Sequence, residues 1–335
     1  MTAVHEVSDP AAEVLARGRA LVEPALREAV ATLPEPVRGI TGYHMGWWDR
    51  DGRPTEAGGK ALRPTLAVLC AEAVGGSAEA AVPAAVAIEL VHNFSLLHDD
   101  VMDGDALRRH RPTAWHLYGN GPAILTGDVL LALAIELLAS SGLPARMLTS
   151  AVLDLLDGQN SDMTFETRTD VTLSECVKMA VNKTGALVRC ACALGATAGG
   201  GTPEQVASFG LFGEHLGLAF QYMDDLLGIW GDPAVTGKPA HSDMLNRKKS
   251  LPVVAALTAG TPEAEALAAA YFSPTDQDPA HLASLIEAAG GRTWTLDRLT
   301  QLRNQATAAL TALTTTPEPT QALIALTHLA TNRTH

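Results

Sequence analysis

The residues best suited to chemistry are carboxylates. The segment HDDVMD, His98 to Asp103, gathers three acids within five residues. On a helix Asp99 and Asp103 are four apart and share a face, with Asp100 beside them. Like charges placed this way repel, and a hard divalent cation with oxygen ligands, magnesium above all, relieves the repulsion. For this cluster alone, a solvated helix face is an equally good account. The segment QYMDDLLGIWGD, residues 221–232, repeats the pattern. There Asp224 and Asp225 lie in an apolar run with Phe220, Tyr222, Met223, Leu226 and Leu227, and Asp232 follows two turns on. Charges embedded in such a run should point at a site and not into a core. If the two helices face each other across a bundle, they can hold several metals between them. Such metals would bridge and neutralise a diphosphate and help it leave.

Cations complete the pattern in short motifs flanked by Gly or Pro. Lys60 and Arg63 lie in GGKALRP, Arg108 and Arg109 in RRHRPT, and Lys183 with Thr184 in KTGAL. Lys238 lies in TGKP, and Lys248 and Lys249 in NRKKSLP. Any one of these could be a simple ion pair, but the set suggests converging phosphate contacts. The formal net charge of the chain is -13. No basic face offsets that charge, so nucleic acid is excluded as a partner, and an anionic substrate needs bound cations to be admitted.

The elements that must position these groups read as helices. Apolar residues make up 47% of the 335, enough for a large core, while aromatics are only 4%, which favours helix over sheet. Helical spacing covers residues 10–32, 60–75, 80–105, 122–141, 146–168, 174–198 and 204–230. Loops are expected at 33–36, 42–59, 199–203 and 231–243. Helices resume at about 251, with breaks at 273–279 and 314–319. No alternating strand pattern appears, nor a GxGxxG, GxSxG or HExxH motif. The expectation is one all-α domain over 1–335, with 1–10 as an N-terminal arm. Trp47 and Trp48 are expected to pack locally. Pro122–Ser140 is the most apolar stretch, but it carries Asp128 and Glu136 and reads as a buried helix and not a transmembrane span. Cys70, Cys176, Cys190 and Cys192 have no zinc or CxxC spacing and read as reduced thiols of a cytoplasmic protein. The N-terminus shows no signal-peptide pattern.

Five motifs in order, GGKALRP, LLHDDVMD with RRHRPT, LTGD, KTGAL, and FQYMDD with GKP and KKSLP, resemble those of the trans-isoprenyl diphosphate synthases, or polyprenyl synthetases. The likeness runs from about Gly58 to Pro252. It implies a class I isoprenoid synthase helical bundle around a central pocket. It also implies a homodimer, and an activity joining isopentenyl diphosphate to an allylic diphosphate with three magnesium ions per site. By the resemblance Asp99, Asp100, Asp103, Asp224 and Asp225 form the metal-binding acids, Asp100 and Asp225 in support. Arg108, Lys183, Thr184, Lys238 and Lys248 match contacts to the allylic diphosphate. Lys60, Arg63, His92 and Arg109 match contacts to isopentenyl diphosphate, and Phe220 and Gln221 lie near the reacting carbons. Lys183, Thr184, Gln221 and Lys238 are thus the expected catalytic set.

The chain departs from the family pattern at three places. Ala61 stands where Arg is usual, His110 where Gly is usual, and Gly228 where the second motif has its third Asp. Phe94 and Ser95 precede Asp99 by five and four residues, about one turn deeper. By the resemblance, aromatics at both positions go with a farnesyl product. One aromatic, one small residue and no insertion in the first motif point to geranylgeranyl diphosphate, with farnesyl diphosphate as the alternative. A class I terpene cyclase would carry an Asn, Ser/Thr, Glu motif, and NSDMTFET at 160–167 lacks its spacing. A non-catalytic regulatory subunit would explain Gly228 and His110 as decay, but the near-complete set of acids and cations argues against it.

Overall fold

The computed structural model describes residues 10–55, 57–233, 241–273, 275, 277–313 and 315–331. Lys238 and most of the expected N-terminal arm lie outside the described residues. Helix starts follow local chemistry. Thr172 and Glu175 form a reciprocal capping box at the start of α8 (Leu173–Ala180). Thr261 and Asp278 cap helices that open on Pro262 and Pro279, where a missing N–H costs nothing.

The chain forms two compact units. The first comprises Met1–Thr149, Cys190–Gly210 and Leu313–Leu326. It contains α1 (Pro10–Ala31), α2 (Val37–His44), α3 (Leu62–Ala73), α4 (Val82–Met102), α5 (Ala114–Tyr118) and α6 (Asn120–Ser140). α3 and α4 are its core, with Leu66, Cys70, Ile88, Leu90 and Leu97 fully buried. Small residues set how closely its helices approach. A Cβ on Gly195 would lie 2.1 Å from the Ala67 carbonyl oxygen, and one on Gly199 2.5 Å from that of Ala71. Gly195 sits on α9 (Ala186–Ala198) and Gly199 just after it, and together they lay this backbone directly on α3. A Cβ on Gly127 of α6 would lie 2.4 Å from the His98 ring of α4.

The second unit comprises Ser150–Arg189, Leu211–Ala312 and Thr327–His335. It holds most of α7 (Ala145–Phe165), α8, and the later part of α10 (Pro203–Trp230). It also holds α11 (Ser242–Leu245), α12 (Leu251–Leu257), α13 (Pro262–Tyr271), α14 (Pro279–Ala288) and α15 (Gly291–Thr311). The last helix, α16 (Pro317–Thr331), has residues in both units. One core joins Tyr222, Met223, Leu251 and Leu302, with the Tyr222 and Trp294 rings 5.6 Å apart. A second gathers Ile229, Met244, Tyr271 and Ile286.

Three features differ from the sequence expectation. The helix expected over 174–198 is interrupted by a π-helical turn, Val181–Gly185. A two-residue hairpin, Leu107–Arg108 against Arg111–Pro112, joins α4 to α5. It needs positive φ at Arg109 (51°) and His110 (61°), so His110 occupies a position where glycine would be unstrained. The third is α6, which is not the buried helix expected: only one side packs, and Ile124, Leu125 and Ala132 stay exposed. The Trp pair does pack locally. Arg27 stacks on Trp47 at 4.4 Å, and Trp48 Nε1 donates to the Gly39 carbonyl. All four cysteines are free and buried.

Candidate active site

In the first unit the acids stand at the end of α4. Asp99 is half-buried and Asp103 exposed, one helical turn apart. Asp100 faces inward at 1% exposure, and its Oδ1 accepts from Arg108 Nε at 2.7 Å. Burial pushes the Asp100 carboxyl up, and Arg108 opposes the shift. Asp100 therefore anchors the Arg108 guanidinium, and its Oδ2 is buried with no hydrogen-bond partner. A buried unpaired oxygen is costly unless a further cation or water meets it.

Behind these acids lies a basic corner. Arg63 Nη1 is 3.3 Å from His92 Nε2. Burial first, then Arg63 and Arg109, hold His92 well below its ordinary value, so the ring is a neutral partner. Arg63 sits in the first turn of α3, whose N-cap is Ala61 in the left-handed region at φ 53°. The Arg109 guanidinium lies over Gly59, where a Cβ would be 2.8 Å from its Nη2. A cleft of about 710 Å³ opens beside it, lined among others by Arg19, Gly59, Ala61, Glu89 and Arg109. Lys60 is exposed at the entrance to α3. Phe94 is 3% exposed, its ring 4.8 Å from that of His98, and Ser95 is 8% exposed. His98 is in turn held by the Ile124 carbonyl at 2.9 Å.

In the second unit the acids divide their work. Asp224 is exposed on α10, while Asp225 is 3% exposed and turned inward. Both Asp225 oxygens are used, one accepting from Gln221 Nε2 at 2.8 Å and the other from the Leu251 N–H at 2.9 Å. Burial pushes the Asp225 carboxyl up to about 6, against the pull of Lys248. Gln221 Oε1 accepts from Thr184 Oγ1 at 2.6 Å. A continuous relay thus ties the π-turn to α10 and α12, and it orients Thr184 and Gln221 together. Lys183, on the same turn, donates to Asp162 Oδ2 at 2.6 Å. Burial alone would raise the Asp162 carboxyl, but Lys183 and Lys248 together hold it below its ordinary value. The π-turn packs closely, since a Cβ on Gly158 would lie 2.2 Å from the Lys183 backbone nitrogen. Lys248 is placed through its backbone: its N–H donates to the Asp243 carbonyl and its carbonyl accepts from Tyr271 Oη. Lys249 is not a site group; it is 8% exposed and its Nζ caps the Glu166 carbonyl.

Sequence reasoning missed Asp162, Glu89 and His44. Glu89 lies three residues before His92 within the apolar run of α4, a signal of the same kind as the acid pairs. Asp162 carries no such signal, because its partner Lys183 is 21 residues away.

The sequence model of the polyprenyl synthetase family matches residues 53–289. The chain belongs to the polyprenyl synthetase family. Two Mycobacterium tuberculosis (strain H37Rv) enzymes show how its relatives divide. One, named (2E,6E)-farnesyl diphosphate synthase, is 45% identical over 293 residues, 84% of this chain and 82% of its own. The other, named geranylgeranyl diphosphate synthase, is 46% identical over 291 residues, 83% and 82%. Among solved structures, a polyprenyl synthetase from Streptomyces coelicolor A3(2) is 47% identical with a TM-score of 0.89, covering 95% of this chain and 98% of that one. A geranylgeranyl pyrophosphate synthase from Corynebacterium glutamicum, solved with isoprenyl diphosphate and magnesium, is 27% identical with a TM-score of 0.77, covering 97% and 99%. This polyprenyl synthetase is a trans-prenyltransferase of the chain-elongating kind, and its family is metal-dependent. Because relatives with different products are equally similar, identity does not fix the product.

Proposed function

We propose that the chain is a magnesium-dependent geranylgeranyl diphosphate synthase acting on isopentenyl diphosphate and an allylic diphosphate. The observation that carries the product assignment is Phe94, buried on α4 one turn before Asp99, with the small Ser95 beside it. One ring forms a floor, and its small neighbour leaves the depth of a longer chain. The donors fit magnesium: hard carboxylate oxygens at positions four apart in the first motif, and an outward Asp224 in the second. Asp99, Asp103 and Asp224 would hold the ions, three per site, with Asp100 and Asp225 fixing neighbouring groups. Bound magnesium would neutralise the diphosphate as it leaves.

The side chains supply the rest. Arg108, Lys183, Thr184, Lys238 and Lys248 bind the allylic diphosphate. Lys183, pre-set by Asp162, loses little freedom on binding. Lys60, Arg63, His92 and Arg109 bind isopentenyl diphosphate, with His92 neutral so that it does not add to the cationic repulsion there. Phe220 and Gln221 border the reacting carbons. No carboxylate or histidine base is needed, because the departing diphosphate takes the proton.

We assign the exposed apolar side of α6 to the contact of a homodimer. Buried thiols suit a cytoplasmic enzyme. The test is product analysis with isopentenyl diphosphate and dimethylallyl, geranyl or farnesyl diphosphate, with and without magnesium. Geranylgeranyl diphosphate formed only with magnesium is expected. A farnesyl end product would overturn the product assignment, and a cyclic hydrocarbon from the allylic substrate alone would overturn the elongation reading.

A further inference from the structure

α1 precedes all five motifs, yet it reaches the segment that carries Lys60. Gly18 brings it there. A Cβ on Gly18 would lie 2.1 Å from Thr65 Oγ1, so the α1 backbone rests directly on the start of α3. Thr65 is 1% exposed, and its Oγ1 donates to the Ala61 carbonyl at 2.7 Å. The next residue of α1, Arg19, is half-buried, and its Nη2 donates to the Gly59 carbonyl. The carbonyls on either side of Lys60 are thus both held, one by α3 itself and one by α1.

That segment needs holding. Ala61 sits at φ 53°, in the left-handed region that a residue with a Cβ rarely adopts. Upstream the chain is fixed as far as Ala57, whose N–H donates to the Gly46 carbonyl at 3.2 Å. Gly59 then meets Arg109, whose Nη2 would lie 2.8 Å from a Cβ there. Arg19, Gly59 and Arg109 line one cleft, with the Glu89 carboxylate in electrostatic reach of both guanidiniums.

We infer that Arg19 is a positioning residue for the isopentenyl diphosphate subsite. By holding the Gly59 carbonyl it fixes the backbone that carries Lys60 and the surface on which Arg109 lies. It acts through those two residues and not by touching the diphosphate. The inference rests on the binding role proposed for Lys60 and Arg109.

Steady-state kinetics of the magnesium-loaded enzyme, with the two substrates varied separately, test it beside thermal melts. Arg19→Ala should raise KM for isopentenyl diphosphate about tenfold, within what a misplaced group costs, and leave KM for the allylic diphosphate unchanged. Arg19→Met keeps the apolar stem without the donor and gives the same reading should Arg19→Ala not fold. Arg19→Lys keeps a donor on a long stem and should recover most of the loss. Arg17→Ala is the comparison, because Arg17 ties the same helix to Glu72 of α3 away from the loop. It should leave both KM values alone. Combined with Lys60→Ala, Arg19→Ala should add less than its separate effect, since the two share one path. An unchanged KM for isopentenyl diphosphate in a folded Arg19→Ala or Arg19→Met, while Lys60→Ala raises it, would overturn the inference and leave the subsite reading standing. So would an equal rise in Arg17→Ala. An unchanged KM in both Lys60→Ala and Arg109→Ala would overturn the subsite reading itself.

Discussion

Replacing Phe94 by alanine should lengthen the product. The ring is 3% exposed and packs on His98 at 4.8 Å. Asp99 is five residues further along α4, so the Phe94 Cα lies about 7.5 Å below it along the axis. Phe94→Ala deletes a six-carbon ring, and an isoprene unit has five carbons, so the space released accepts about one further unit if the walls stay in place. Such truncations in a core cost about 3–5 kcal/mol because the cavity does not fully collapse. A growing chain that enters the cavity would restore part of those contacts. The variant should therefore be less stable alone, yet gain more in melting temperature than the wild type from a long allylic diphosphate. The assay is chromatography of dephosphorylated products after incubation with isopentenyl diphosphate and magnesium. The expected result is a shift of the main product by one isoprene unit. The floor argument is refuted if a folded, active variant makes the wild-type product.

Two further predictions concern stability. His44 Nε2 is buried without a hydrogen-bond partner, and burial first, then Arg108, Arg109 and Arg111, lower its pKa to about 3. The unfolded chain then binds a proton between about 6.5 and 3 that the folded chain refuses, so stability is full above that window. It falls on acidification by about 1.4 kcal/mol per pH unit. Denaturant midpoints at pH 7.5 and 5.5 should differ less in His44→Gln than in the wild type, and equal differences would refute the assignment. Gly195→Ala puts a Cβ 2.1 Å from the Ala67 oxygen, which should force α9 off α3 and cost about 1–3 kcal/mol or more. A thermal melt with no fall in midpoint would show that the contact relaxes freely.

The parts of the site legible in the sequence were those whose signal is local. Asp99 and Asp103 share a face because four residues make about one turn, and Lys60 and Arg63 bracket a helix start. What the sequence concealed depends on contacts between distant segments. Asp225 looks like Asp224's twin in the sequence, but its oxygens are spoken for by Gln221 and by Leu251, 26 residues on. Asp100 likewise turned out to hold Arg108 at 2.7 Å. Gly228 read only as a lost carboxylate, because the Asp243 side chain that occupies the space above it comes 15 residues later in the chain. The apolar composition of α6 suggested burial, but composition does not say how much of a helix packs within its own unit.

The π-turn at Val181–Gly185 makes segment length a functional quantity. Each residue turns a helix by about 100°, and the π-turn accommodates one more than a regular α-helix would. Deleting a single residue there would produce a more regular helix, with every backbone group satisfied and no change in core composition. It would also rotate Lys183 away from Asp162 or Gly185 away from the close approach of Gly217, since one register cannot serve both. With the role proposed for Lys183, a chain shortened at this point would lose either the ion pair to Asp162 or the close packing of the turn. The surplus residue therefore sets the direction of the Lys183 side chain and not the composition of the core.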